Sequence, residues 1–275
     1  MEKTEINEKF LEEYGSDDAV RKYTAGTAGF GINYLLHHEY AGIYLDAVNS
    51  FLITSPQRPL RILEFGCGAG MNVINLVSLL EQKGITVECA YGTDFSERLV
   101  QSATQEAKAL LTTGLAKKLS FYVARNELLV DDLASASGKP GKDFLGFFDL
   151  IIGVNTFRYC HRLGKERDCA NDIYRMLRAG GVCVNIDMND RFPAFRSRLK
   201  STTEDATECY IPSLDEYAAP FKAAGFEIKS KKNFCWIPHS AGPALTLCCR
   251  LASPVLNLVL PSRAMRSLVV ARKTN

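Results

Sequence analysis

Gly66-Cys67-Gly68-Ala69-Gly70 sets three glycines within five residues, between an apolar run at 60–65 and a helix-like stretch from Asn72 to Gln82. Glycines at a strand-to-helix turn let a ligand touch the backbone at the carboxyl edge of a sheet, where open α/β folds bind. An acid, Glu64, comes just before them. A second acid, Asp94, ends the next strand-like run, 28 residues beyond Gly66. A carboxylate at that place can accept hydrogen bonds from both hydroxyls of a ribose. It can also cap the next helix, in Asp94-Phe95-Ser96-Glu97, and both roles hold if Ser96 takes the cap. A dinucleotide fingerprint needs Gly or Ala at 66, 68 and 71, and position 71 is Met. A tight turn without a ligand is the plainer alternative.

Further along, Asn155-Thr156-Phe157-Arg158-Tyr159-Cys160-His161-Arg162 follows a strongly apolar run. His161 titrates near working pH and could take a proton from an acceptor, or could simply pack against the following helix. The nine cysteines include no C-x-x-C pair, so no zinc or other metal site is expected. Their odd number, with no apolar leader in MEKTEINEKFLEEYG, gives the expectation of reduced thiols in a cytoplasmic protein.

The elements that must hold these residues alternate. Strand-like runs at 60–65, 87–94, 119–124, 148–155 and 182–189 are separated by helix-like stretches, the last of them 166–181 closed by glycines. That alternation predicts βαβ units and a doubly wound sheet with helices on both faces. Residues 214–226 predict a short helix, and 227–236 and 266–273 two closing strands, seven in all. The domain reading is a helical N-terminal cap over 1–58 and a core over 59–275, with insertions at 190–213, expected to be a lid, and at 237–262.

Glu64 with the Gly66-x-Gly68-x-Gly70 run, Asp94, the Phe148-Asp149-Leu150 start of the fourth strand and Leu177-Arg178-Ala179-Gly180-Gly181 resemble, in order and spacing, the landmarks of class I S-adenosylmethionine-dependent methyltransferases. Ala179 stands where that family usually has proline. The resemblance covers about residues 60–190 and implies a Rossmann-like seven-stranded sheet, S-adenosyl-L-methionine as cofactor and methyl transfer as the reaction. It implies cofactor contacts from Glu64, Gly66, Cys67, Gly68, Asp94, Phe95, Asn126 and Asn155, and from Tyr23, or Tyr14, in the cap. The glycines at 26, 29 and 31 would let the cap hinge over the site. One departure concerns the adenine wall. The usual acceptor position holds Arg125, which has no acceptor, so Asn126 is the candidate.

The segment after the fourth strand lacks the Pro-Pro-aromatic run of adenine methyltransferases and the Pro-Cys nucleophile of cytosine C5 enzymes. It also lacks the aspartate of catechol-type metal enzymes, so Asp187, Asn189 and Asp190 have no partner for magnesium. Cys67, Cys160 and Cys209 mimic the thiols of arsenite methyltransferases, but Cys160 is out of register with that pattern.

Lys and Arg number 33 against 31 Asp and Glu, a balance that predicts no general attraction to nucleic acid. The expected activity is methyl transfer to O, N or C of a small molecule in natural-product metabolism, with His161 as the candidate base. Rival readings are a tRNA- or protein-directed methyltransferase, a non-catalytic partner of the same fold, and a peripheral enzyme on a lipid-like acceptor. Arg191, Arg196, Arg198 and Lys200 could meet an anionic acceptor or be a solvated face. The apolar stretch 241–260, broken by Pro243, Arg250 and Pro254, is too interrupted to span a membrane but could lie on its surface; that contact is the lesser expectation. A homo-oligomer stays open.

Overall fold

The nearly unbroken apolar run of the fourth strand demands cover on both faces, and the chain supplies it. The computed structural model describes Leu35 and residues 39–53, 58–195, 210–238 and 241–274. In chain order the elements are α1 (Tyr40–Leu52), β1 (Leu60–Phe65), α2 (Met71–Gln82), β2 (Val87–Asp94), α3 (Glu97–Leu110), β3 (Leu119–Val123), α4 (Leu129–Ser137) and β4 (Phe148–Val154). They continue as α5 (Phe157–Leu163), α6 (Glu166–Met176), β5 (Leu177–Met188), α7 (Leu214–Ala223), β6 (Phe226–Phe234), α8 (Pro243–Val259) and β7 (Arg266–Lys273).

The strands form one sheet in the order β3-β2-β1-β4-β5-β7-β6. β7 runs antiparallel to both β5 and β6, and the remaining pairs are parallel. This is the Rossmann-like seven-stranded sheet that the sequence implies. The order reverses between β1 and β4, so the turns after these two strands diverge and leave a crevice at the carboxyl edge.

One face of the sheet packs against α1 and α2 through Tyr40, Tyr44, Phe51, Val73 and Leu80. The other packs against α4, α6 and α7 through Leu133, Ile173, Tyr217 and Phe221. Local signals place the helices. Ser96 caps α3 by accepting from Leu99 N, and a capping box between Ser213 and Glu216 starts α7.

The helix expected over 166–181 ends at Met176, and β5 starts at Leu177 rather than 182. Gly146 N and Phe147 N donate to the carbonyls of Arg175 and Met176, and Leu177 pairs with Phe148, so the chain leaves the helix a turn early. The closing strand expected over 227–236 covers Phe226–Phe234, because Cys235 turns into the left-handed region at φ 64. Within the apolar insertion, α8 runs unbroken through Pro254. Of the expected cap, residues 1–34 lie outside the described residues, as do 196–209 of the expected lid.

Two landmarks of the resemblance meet at the opposite, amino edge of the sheet. The fully buried Asp149 accepts from Arg61 N at 2.8 Å and pairs with Arg178 Nε at 3.1 Å, so it ties β4 to β1 and to the start of β5. Removing one partner of a buried pair is strongly destabilising. Asp149→Ala is expected to cost about 3 kcal/mol, read as a lower urea midpoint with an unchanged denaturant slope.

Candidate active site

Glu64 sits at the end of β1, 1% exposed, and its two oxygens accept from Asn72 Nδ2 (3.0 Å) and Val73 N (2.8 Å). It thereby holds the first turn of α2 beneath the glycine run. Burial pushes its carboxyl up to about 8, against these two hydrogen bonds, which lower it. Glu64 therefore positions the loop, and its oxygens face the helix.

The loop itself needs its glycines. Gly66, at φ +59, lies so close to the turn after β4 that an added Cβ would stand 1.9 Å from Thr156 Oγ1. Thr156 Oγ1 in turn accepts from Asn126 Nδ2 at 2.7 Å. The turns after β1, β3 and β4 are thus joined through one hydroxyl. Gly68 differs: at φ +54, an added Cβ would meet nothing within 4 Å, so open space lies above it.

Asp94 borders that space. Its Oδ2 accepts from Gly68 N (2.9 Å) and its Oδ1 from Ser96 N (3.0 Å), while Ser96 also caps α3. Ser96 thus takes the cap, and the Asp94 carboxylate is held by two backbone N–H groups. Asp94 is 6% exposed, and burial raises its carboxyl to about 6. Each oxygen keeps a lone pair for a further donor. Phe95 is half-buried beside it.

Cys67 is buried under the loop, and burial with the Asp94 and Glu64 charges pushes its thiol well above the ordinary range. It packs as a neutral group. Arg125 turns away to pair with Asp132 through backbone and guanidinium, while Asn126 spends its amino group on Thr156 and retains its carbonyl oxygen as acceptor.

After β4, Asn155 adopts φ 56 and its side-chain oxygen accepts from Arg266 Nη1 at 2.6 Å. Below it, fully buried Asp187 accepts from the backbone N–H groups of Arg158 and Met188 and lies 3.7 Å from Arg158 Nε. Sequence reasoning missed Thr156 and Arg266. Arg266, at the head of a strand whose centre is apolar, carried a faint signal; Thr156 carried none, since only the fold brings it to Gly66.

His161 lies on α5, one turn after Phe157. Its ring stands edge-on to Phe157 (5.2 Å) and Tyr217 (5.7 Å), between α5 and α7. Its Nε2 is buried without a hydrogen-bond partner among the described residues, and burial lowers its pKa while Glu166 and Glu216 act the other way. Tyr23, Tyr14, Cys209, Arg196, Arg198 and Lys200 lie outside the described residues. A surface groove of about 310 Å³ beside β3, lined by Thr104, Lys108 and Tyr122 among others, shares no residue with the loop cluster.

The sequence model of a methyltransferase domain matches residues 57–241. A 99-residue stretch, 36% of this chain, is 33% identical to the non-reducing polyketide synthase Preu3 of Preussia isomera, and it covers only 3% of that protein's length. Among solved structures, a putative sarcosine dimethylglycine methyltransferase from Galdieria sulphuraria superposes with TM-score 0.59 at 12% identity, over 94% of this chain and 99% of that one. The citrinin polyketide synthase CMeT domain superposes with TM-score 0.57 at 16% identity, over 95% and 58%. At such identities the likeness to the solved structures is one of fold.

The contrast between the two glycines can be measured. Gly68→Ala is expected to cost about 1 kcal/mol for its left-handed backbone. Gly66→Ala is expected to cost about 3 kcal/mol, because the methyl also displaces Thr156. Urea unfolding of the two variants side by side checks the order; equal midpoints would contradict the contact.

Proposed function

The chain belongs to the methyltransferase-domain family, and from that premise we propose that it binds S-adenosyl-L-methionine in the crevice between β1 and β4 and methylates a small molecule. The observation that carries this reading is the open space over Gly68 with the buried Asp94 carboxylate on its border. A Cβ would fill the first, and the second keeps acceptors for a diol. These residues fit the adenosyl cofactor.

In this reading Asp94 accepts from the ribose hydroxyls, and the Asn126 carbonyl accepts from the adenine amino group. The Gly66–Gly70 backbone lines the amino-acid end, with Cys67 and Asn155 as walls and Phe95 against the base. Tyr23, outside the described residues, is the proposed cofactor contact from the N-terminal segment. Bound there, the sulfonium supplies an already activated methyl group. The protein's part is then to orient the acceptor and exclude water, which can contribute roughly 7–11 kcal/mol of the barrier.

The named relative that makes polyketides supports an acceptor of the same natural-product kind. For a hydroxyl acceptor, His161 is the proposed base. The lowered pKa keeps its ring neutral at pH 7, the state a base requires.

Asp94→Ala is expected to weaken S-adenosylhomocysteine binding by roughly tenfold or more while the circular dichroism spectrum stays native. Because the Asp94 carboxyl titrates at about 6 and binding favours its charged form, affinity should also fall as the pH drops from 7 toward 5. Calorimetric titration reads both; an Asp94→Ala protein of unchanged affinity would refute the site.

His161→Ala should lower turnover of a hydroxyl acceptor by roughly 10²-fold with cofactor affinity intact, and the wild-type rate should decline only below pH 6.5. Near-normal turnover in the variant would leave catalysis to positioning alone.

A further inference from the structure

Helix α8 carries its hydrophobic face on the wrong side for a helix that packs on a core. Its buried positions are Thr246 and Ser253, whose hydroxyls turn back onto the carbonyls of Ala241 and Cys249. Its outward stripe is Ala244, Leu247, Leu251, Val255 and Leu258, spaced three or four residues apart along one face. Those exposures are large: Leu247 59%, Leu251 73%, Val255 63% and Leu258 83%. A contiguous apolar stripe of this kind on a folded domain marks a contact.

Charge identifies the partner. After Glu227 the chain has no Asp or Glu, and it carries eight Lys and Arg: Lys229, Lys231, Lys232, Arg250, Arg263, Arg266, Arg272 and Lys273. Of these, Lys229 and Lys231 pair with Glu227 and Asp215, Lys273 donates to the carbonyls of Tyr174 and Leu177, and Arg266 is buried against Asn155. That leaves Lys232, Arg250 and Arg263 as exposed basic side chains on and around α8. Arg250 and Arg263 are exposed on and just beyond α8. Glu39 is the acid whose carboxyl feels Arg250 and Lys232. Trp236, part-exposed, donates its indole N–H to Asn257 Oδ1 at 2.7 Å on the flank of the same helix. An amphipathic helix with an apolar face, basic flanks and a tryptophan alongside fits the boundary between headgroups and acyl chains of an anionic bilayer. A second protein copy would bring the same positive charge toward its like. No helix among the described residues is long and apolar enough to cross a membrane, so the contact is one of lying on the surface.

We propose that α8 docks the protein on anionic membranes, its stripe Leu247, Leu251, Val255 and Leu258 entering the interface while Arg250 and Arg263 meet lipid phosphates. α8 joins the end of β6 to the start of β7, and Arg266 at that start reaches Asn155, so the docked face adjoins the edge that holds the candidate active site.

The test is co-sedimentation of the full chain with vesicles of equal phosphatidylglycerol and phosphatidylcholine, and with phosphatidylcholine alone. The wild type should pellet with the first, bind the second more weakly, and release as salt is raised. Leu251→Glu with Val255→Glu, both at exposed positions, should lower binding by roughly tenfold or more. Arg250→Ala should lower it about fivefold. S-adenosylhomocysteine affinity of the double variant should stay at the wild-type value, which separates this proposal from the methyltransferase reading. Wild-type protein that remains in the supernatant, or a double variant that binds as the wild type does, would overturn docking. So would sedimentation velocity showing a wild-type dimer that the double variant breaks, with no vesicle binding.

Discussion

Everything at the carboxyl edge of the sheet depends on how closely the turn after β1 approaches the turn after β4. A single methyl group at Gly66 would sit 1.9 Å from Thr156 Oγ1, so the approach is possible only without a side chain. That same oxygen accepts from Asn126, which draws the turn after β3 into the arrangement. Glu64 fixes the other end by holding Asn72 and Val73 at the head of α2. With these three turns joined, Gly68 is left facing open space, and Asp94 is left beside it with its backbone partners already satisfied. The crevice is a consequence of packing around it.

Buried carboxylates recur at the joints of the sheet, and each is held by backbone N–H groups. Asp149 ties the amino edge, Asp187 the end of β5, Glu64 the end of β1 and Asp94 the end of β2. Burial raises the carboxyl of each above its ordinary value, because the charged form loses water. Two of them have arginine partners as well: Asp149 pairs with Arg178, and Asp187 with Arg158. Asp94 has no ion-pair partner among these contacts. Glu64 shares that lack, but its oxygens are turned onto α2, whereas Asp94 borders the open space over Gly68 and can take further donors.

The strands were legible in the sequence because apolar runs between turn residues report burial directly. β1, β2 and β7 fall at the expected residues. The start of β5 was hidden, since the Arg175 and Met176 carbonyls that end α6 are taken by Gly146 and Phe147, distant in the chain. The same limit applies to the site. Gly66, Gly68 and Asp94 announce themselves by type and spacing, whereas Thr156 matters only because the fold brings it to Gly66. The sequence shows that 241–260 is apolar. Only the structure shows that Thr246 and Ser253 face inward while Leu247, Leu251 and Leu258 face outward.

The central claim is that the space over Gly68 and the Asp94 carboxylate together hold the adenosyl cofactor. A crystal structure with S-adenosylhomocysteine tests it most directly. The account predicts both ribose hydroxyls within hydrogen-bonding distance of the Asp94 carboxylate and the ligand packed against the Gly68 backbone. A ligand seated elsewhere, or a ribose with no contact to Asp94, would contradict it.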